Sequence, residues 1–257
     1  MNLFISPFVN ALFGFYYLTG NFGWSIIIVT ILIKAILMPL VWPSMKNANK
    51  MRDLQPKLKK LQEKYKGKKE ELAKAQMELY KQEGINPLSG CLPQILQIAV
   101  LLLFFSAFNN VSMLAEKKIN IETMNKNLIP AFQLKSDFKF NVDFIGSDLT
   151  LTPAKIFNSG WTVALVLPMI LLLGSAILQY LGSKVMMPSP KVDENITKKT
   201  ENKEDDMMSA MRTQSLYMMP AMTLFIGWNF SLGILLYWFV NSLTMWLQQL
   251  IVNKFNK

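Results

Sequence analysis

A single charge, Lys34, stands inside an otherwise apolar run at residues 22–42 (FGWSIIIVTILIKAILMPLVW). At about 1.5 Å per helical residue such a run spans the roughly 30 Å hydrocarbon core of a bilayer. A lysine in that setting is costly unless it meets water, a partner or the interface, so a functional role is the first hypothesis. The competing reading is snorkelling, in which the stem lies along the helix and the ammonium reaches the headgroups. Lys34 lies eight positions before Trp42, roughly 12 Å along the axis, a long reach for one side chain.

The rest of the chain repeats the apolar theme. Hydrophobic residues make up 51% of its 257 residues, and runs at 87–110, 161–187, 214–231 and 233–252 join 22–42 as predicted spans. The last two are separated by too few residues for anything except a tight helical hairpin. The expected fold class is therefore an all-α polytopic membrane protein with five transmembrane helices. Residues 1–21 are apolar and aromatic and are expected to form an amphipathic helix on the outer interface. They carry neither the basic start of a cleaved signal peptide nor a lipid-anchor cysteine. With one cysteine, Cys91, and no histidine, internal disulfides, HExxH zinc sites and Ser–His catalysis are excluded, and no Gly-rich phosphate loop is present. An enzyme reading has almost no support, and no metal or cofactor is expected.

Charge orients the spans. Residues 43–86 carry twelve Lys/Arg against six Asp/Glu, a net +6, which the positive-inside rule places in the cytoplasm. Five spans then put the N-terminus outside and the tail at 253–257 inside. Residues 111–160 become an extracytoplasmic segment and 188–213 a flexible polar cytoplasmic loop. Within the basic segment Met51, Leu54, Leu58, Leu61 and Tyr65 recur at helical spacing, Gly67 marks a turn, and Leu72, Ala75 and Leu79 continue the stripe. A helical hairpin with a short apolar seam is expected. Its lysines suit anionic lipid, ribosomal RNA or acidic proteins, or serve only as a solvated face and an orientation signal.

Polar residues recur on single faces of the spans. Thr30 and Lys34 share a face of the first, Gln94 and Gln97 of the second, and Ser175 and Gln179 of the third. Tyr237, Asn241, Thr244 and Gln248 form a continuous stripe on the fifth. Interhelical hydrogen bonding explains any one of these, but four such faces beside one lysine point to a hydrated cavity. With no Asp or Glu inside the predicted spans, a proton relay or cation channel lacks its usual parts. Clustered methionines (Met186, Met187, Met207, Met208, Met211, Met218, Met219) suit a surface that meets varied apolar partners.

Several motifs in order carry a family resemblance. Residues 50–57 (KMRDLQPK), Leu79-Tyr80-Lys81 and the run 86–93 (NPLSGCLP) resemble the cytoplasmic hairpin and second-span entry of the YidC/Oxa/Albino insertases. Phe144-Ile145-Gly146 with Asp148-Leu149-Thr150, Tyr217-Met218-Met219-Pro220, Leu236-Tyr237-Trp238, Asn241 and Gln248-Gln249 continue the match. The resemblance implies a five-helix insertase core around a positively charged hydrophilic groove, open to cytoplasm and lipid, in a bacterial plasma (inner) membrane. It implies insertion and folding of newly made membrane proteins without nucleotide hydrolysis, alone or with the Sec translocon. The alternative is an assembly chaperone without autonomous translocation. Implied partners are nascent membrane proteins and lipid, with the Sec translocon, ribosome and signal recognition particle pathway as further partners, and no DNA. By the same resemblance Lys34, Thr30, Leu101, Tyr237 and Trp238 are groove residues, and the shared polar faces add Gln94, Gln97, Gln179 and Asn241. Lys50, Arg52, Lys57, Lys59 and Lys60 would recruit at the hairpin. Many bacterial members carry arginine where Lys34 stands, and lysine lacks that residue's bidentate fork. The large external domain of some members is not represented.

Overall fold

The computed structural model describes residues 5–86, 92–115, 119–136, 138, 140–160, 163–186 and 213–255. The chain enters as α1 (Ile5–Thr19), whose buried face is Phe8, Val9, Leu12, Phe13 and Tyr16. Gly20, at φ +67°, reverses the chain, a conformation that costs glycine little. Asn21 then caps the next helix, its Oδ1 accepting from the Gly23 amide at 2.9 Å. That helix, α2 (Phe22–Asp53), runs 32 residues without interruption and contains Pro39 and Pro43. At about 48 Å it exceeds the hydrocarbon thickness, so the expected boundary at residue 42 is not a helix end. The first span and the start of the basic segment are one rod.

Leu54 separates α2 from α3 (Gln55–Lys64), and Gly67, at φ +82°, turns the chain into α4 (Lys69–Gln82). The hairpin closes on a small cluster of Met51, Leu54, Leu58, Tyr80 and Ile85, tied outside by a Lys57–Glu83 ion pair. Beyond Leu58 the expected stripe is only half-buried at Leu61, Tyr65, Leu72 and Ala75. The seam is confined to the end nearest the bundle.

Helix α5 (Leu92–Ala115) returns through the bundle. A capping segment follows, with α6 (Ile121–Asn125), a 3-10 turn at Pro130–Phe132, a two-stranded hairpin and α7 (Pro153–Asn158). In the hairpin β1 (Asp143–Phe144) pairs antiparallel with β2 (Ser147–Asp148). Helix α8 (Val166–Met186) crosses next. A π-helical turn, Gln214–Met218, leads into α9 (Met219–Gly227). Pro220 lacks the N–H that the Leu216 carbonyl would otherwise receive, a setting in which a helix widens to π geometry. After a short turn α10 (Leu232–Phe255) completes the chain. Among the described residues four helical stretches, 22–51, 94–114, 163–185 and 232–254, are long and apolar enough to cross a membrane. The fourth predicted span is shorter, since its helix stops at Gly227. The predicted loop at 188–213 lies almost wholly outside the described residues, as do Cys91 and most of the 86–93 motif.

The packing is polarised along the bundle. At the end where α1 and the capping segment meet the spans, aromatic rings fill the interior. Phe22 packs on Phe108 and Phe140, Phe104 stacks on Phe108, and Tyr16 stacks on Phe140. The capping segment also satisfies exposed helix termini. The Leu232 and Gly233 amides, at the start of α10, donate to the carbonyls of Leu151 and Leu149 at 2.8 and 2.9 Å. Buried Asn10 joins α1 to the same segment, donating to the Asn127 carbonyl and accepting from the Ile129 amide. Elsewhere the outward faces are apolar: Ile31, Leu32, Ile36 and Leu40 on α2, Ile95, Ile98 and Leu102 on α5, Ile170, Leu173 and Ile177 on α8 are all exposed. This is the arrangement a lipid solvent requires.

At Gly233 α10 packs directly against the Phe108 ring of α5, where a Cβ would clash with the ring atoms. Gly233→Ala is therefore expected to lower stability by about 1–3 kcal/mol through overpacking, read as a fall in the thermal midpoint in detergent. Gly182→Ala, where a Cβ meets nothing within 4 Å, is expected to show no such fall.

Candidate functional site

Below the aromatic end the interior becomes polar. Lys34 lies one helical turn past Thr30 on α2, and the half-buried α5 turn that faces it carries Gln97. The Lys34 ammonium donates to Gln97 Oε1 at 2.9 Å. Gln97 in turn donates through Nε2 to the Tyr237 hydroxyl of α10 at 3.2 Å. Tyr237 is buried, its ring stacked on Phe104 with centroids 4.5 Å apart and planes 15° apart. One hydrogen-bonded chain thus joins three helices and begins where the aromatic packing ends.

The chain borders a cavity of about 50 Å³ that is partly open to the surroundings. Such a space holds several waters. Its polar lining comes from Thr30, Lys34, Gln94, Gln97, Tyr237 and Asn241, continued by Gln248 and Gln249. Six of the nine residues expected in the groove are therefore brought together. Thr30 keeps its hydroxyl on its own helix, donating to the Ile26 carbonyl at 2.6 Å. Gln94 donates to Met219 Sδ at 3.9 Å, bridging α5 and α9. The Asn241 side-chain oxygen is buried and accepts no hydrogen bond among the described residues.

Three expected groove residues sit elsewhere. Gln179 of α8 accepts from the Thr223 hydroxyl of α9 at 2.8 Å and lies outside the cavity lining. Its polarity serves a helix–helix contact. Leu101, one turn beyond Gln97, is half-buried against the aromatic core, and Trp238 packs its ring on Phe230 at 5.9 Å. Thr244 and Ser175, also on the polar faces, bond back to their own helices. Other lining residues, Met38, Met45 and Met245, were not singled out from sequence. Met38 and Met45 lie four and eleven residues after Lys34 and Met245 four after Asn241, a helical periodicity that identifies them once those two are placed.

Toward the hairpin end the lining closes on an amide cluster. Asn49 of α2 donates to Asn253 Oδ1 of α10 at 2.9 Å, and Gln249 donates to the same oxygen at 3.1 Å. Of the expected recruitment residues, Lys50, Lys57 and Lys60 are exposed. The side chains of Arg52 and Lys59 lie outside what is described.

A lysine ammonium hydrogen-bonded to a neutral amide, beside water-sized space and unused acceptors, can hold an anionic or polar group without a fixed counterion. Gln97 is the residue that makes this tolerable. Gln97→Leu is expected to cost about 1.5–3 kcal/mol, the scale of a hydrogen bond to a charged group, in thermal unfolding in detergent. Adding Lys34→Met is expected to restore most of that loss, because neither partner is then left polar and alone.

The chain is similar to known proteins along nearly its whole length. The profile of the family described as 60Kd inner membrane protein matches residues 14–257. Three similar relatives each carry the name membrane protein insertase YidC. The chain is 30% identical to that of Campylobacter jejuni over 236 residues, covering 91% of this chain and 34% of the relative. It is 31% identical to that of Rickettsia africae over 255 residues, covering 97% and 38%. For Helicobacter pylori it is 32% over 239 residues, covering 93% and 34%. The chain thus spans little more than a third of the length of these relatives. Its largely helical architecture, its apolar spanning helices and the match across nearly its whole length establish that the chain belongs to the 60Kd inner membrane protein family.

Proposed function

We propose that this chain is a membrane protein insertase that transfers newly made membrane proteins into the bilayer through the cavity around Lys34, without catalytic chemistry. The observation that carries the reading is the Lys34 ammonium, resting on Gln97 in a polar cavity inside a bundle whose outward faces are apolar. The names of its relatives support it.

The physical sequence is as follows. A short polar or acidic tail of an incoming protein enters the cavity, where water and amides lower its desolvation cost. Lys34 attracts it, and because Gln97 is neutral the ammonium remains free to exchange partners. The following apolar segment of the substrate partitions into lipid alongside α5 and α9, and this transfer draws the tail onward. Helix α9 and its π turn together reach only about 20 Å, less than the hydrocarbon thickness, which favours a thinned bilayer at the exit. The aromatic end shuts the cavity on the far side, and the Lys-rich hairpin receives substrate or ribosome on the near side. The N-terminus lies outside and the C-terminus in the cytoplasm, by the charge of residues 43–86. The Sec translocon and the signal recognition particle pathway are the expected collaborators.

The test is insertion of a small single-span protein with an acidic external tail into liposomes holding only this chain. Tail transfer is read by protease protection. Lys34→Ala is expected to lower protection by about tenfold, the scale of one charge-assisted contact of about 1.4 kcal/mol. Lys34→Arg is expected to restore it. Equal protection in all three would remove Lys34 from the mechanism. Protection no better than in empty liposomes would leave a chaperone dependent on a partner translocon.

A further inference from the structure

The hairpin at Asp143–Asp148 carries an unusual residue at its tip. Ile145 adopts φ 51°, the only non-glycine positive φ among the described residues, and its side chain is 74% exposed. A β-branched residue is poorly suited to that conformation, and a large exposed apolar side chain gains nothing from water. The strain is indifferent to the medium and shows that the tip is held by its surroundings, while the exposed apolar side chain disfavours an aqueous loop.

The surroundings give it a place. The hairpin is clamped to the first turn of α2: Asn21 Nδ2 donates to the Asp143 carbonyl at 2.7 Å, and the Phe22 amide donates to the Asn141 carbonyl at 3.3 Å. Phe144 packs over Gly23, which has no room there for a Cβ. Its ring also meets the Trp24 indole edge-on at 5.7 Å. Trp24 is itself 52% exposed, and it heads the outward stripe of α2 that continues through Ile31, Leu32, Ile36 and Leu40. Tryptophan at the end of a lipid-facing stripe marks the headgroup level. The hairpin that rests on it is therefore held at the same depth.

We infer that the tip of this hairpin is a lipid-binding element, with Ile145 seated in the interfacial layer of the bilayer beside Trp24. The partner is the phospholipid surface around the apolar α2 stripe. An apolar tip at that depth fixes the capping segment against the membrane. This goes beyond the proposed insertase reading and requires only that α2 span the bilayer.

The test uses the full chain with Cys91→Ser and a single cysteine at Ile145→Cys, carrying an environment-sensitive fluorophore, in vesicles of phosphatidylethanolamine and phosphatidylglycerol. Glu122→Cys, exposed on α6, is the matched aqueous site. At position 145 the expected emission is blue-shifted and strongly quenched by phospholipid with a nitroxide near the headgroup end of its acyl chain. Iodide quenching there is expected to fall below about a third of that at position 122, as for an interfacially buried side chain. Iodide quenching equal to that at Glu122 would overturn the inference. Shielding from both quenchers would also overturn it, placing the tip against protein. An unlabelled Ile145→Asn variant guards against the label itself. Asparagine accepts positive φ, so its thermal midpoint in detergent is expected to be unchanged or higher. A marked fall would show that Ile145 is held for internal packing and would overturn the assignment.

Discussion

Where the Lys34 ammonium rests governs the layout of the whole lower half of the bundle. An unpaired charge in hydrocarbon is costly, yet an acidic partner would fix it permanently. The fold resolves this with a neutral amide: Gln97 takes the ammonium on its oxygen and gives its own N–H to Tyr237. Three helices must therefore keep their relative heights, because a shift of any one by a turn breaks the chain. The Phe104–Tyr237 stack sets that height from above. The amide cluster of Asn49, Gln249 and Asn253 pins α2 to α10 from below.

The division between an aromatic end and a polar end follows from that constraint. Buried rings of Phe22, Phe104 and Phe108 contribute large apolar areas and pack against one another and the Tyr237 ring. Below it, side chains shorten or become polar, and space opens. An aromatic end supplies rigidity, while an open polar end leaves space beside Lys34. The close approach at Gly233 lets α10 sit against α5 tightly enough for both. The capping segment completes the aromatic end by taking the α10 amides at Leu149 and Leu151, which would otherwise be buried without a partner.

Much of this was legible in the chain, for physical reasons. Lys34 announced itself because a charge in an apolar run has few tolerable environments. Tyr237 and Asn241 were legible because polar residues at helical spacing share one face, and Gln97 because it shares a face with Gln94. Gln179 misled by the same rule. It too lies on a polar face, but α9 supplied Thr223 as a nearer partner, and only the helix packing decides between cavity and contact. The length of α2 was hidden, since apolarity reports where lipid ends and not where a helix ends. The π turn before Pro220 and the strained tip at Ile145 leave no periodic trace. The confinement of the hairpin seam to Met51, Leu54 and Leu58 depends on where α4 crosses, which the stripe alone does not specify.

The magnitudes suggest how the proposed function divides its labour. A hydrogen bond to a charged group contributes about 1.5–3 kcal/mol, and so does each large apolar side chain removed from water. A substrate helix carrying about ten such side chains outweighs any single contact with Lys34. The cavity then has no need to drive insertion. Its task is kinetic: to lower the barrier for the one polar segment that must cross ahead of the helix. A tight ion pair would work against that task by trapping the tail at the midpoint. A lone lysine sharing its proton donors with an amide is suited to it, since binding weak enough to be undone costs the substrate little on leaving. On this view the neutrality of Gln97 matters as much as the charge of Lys34.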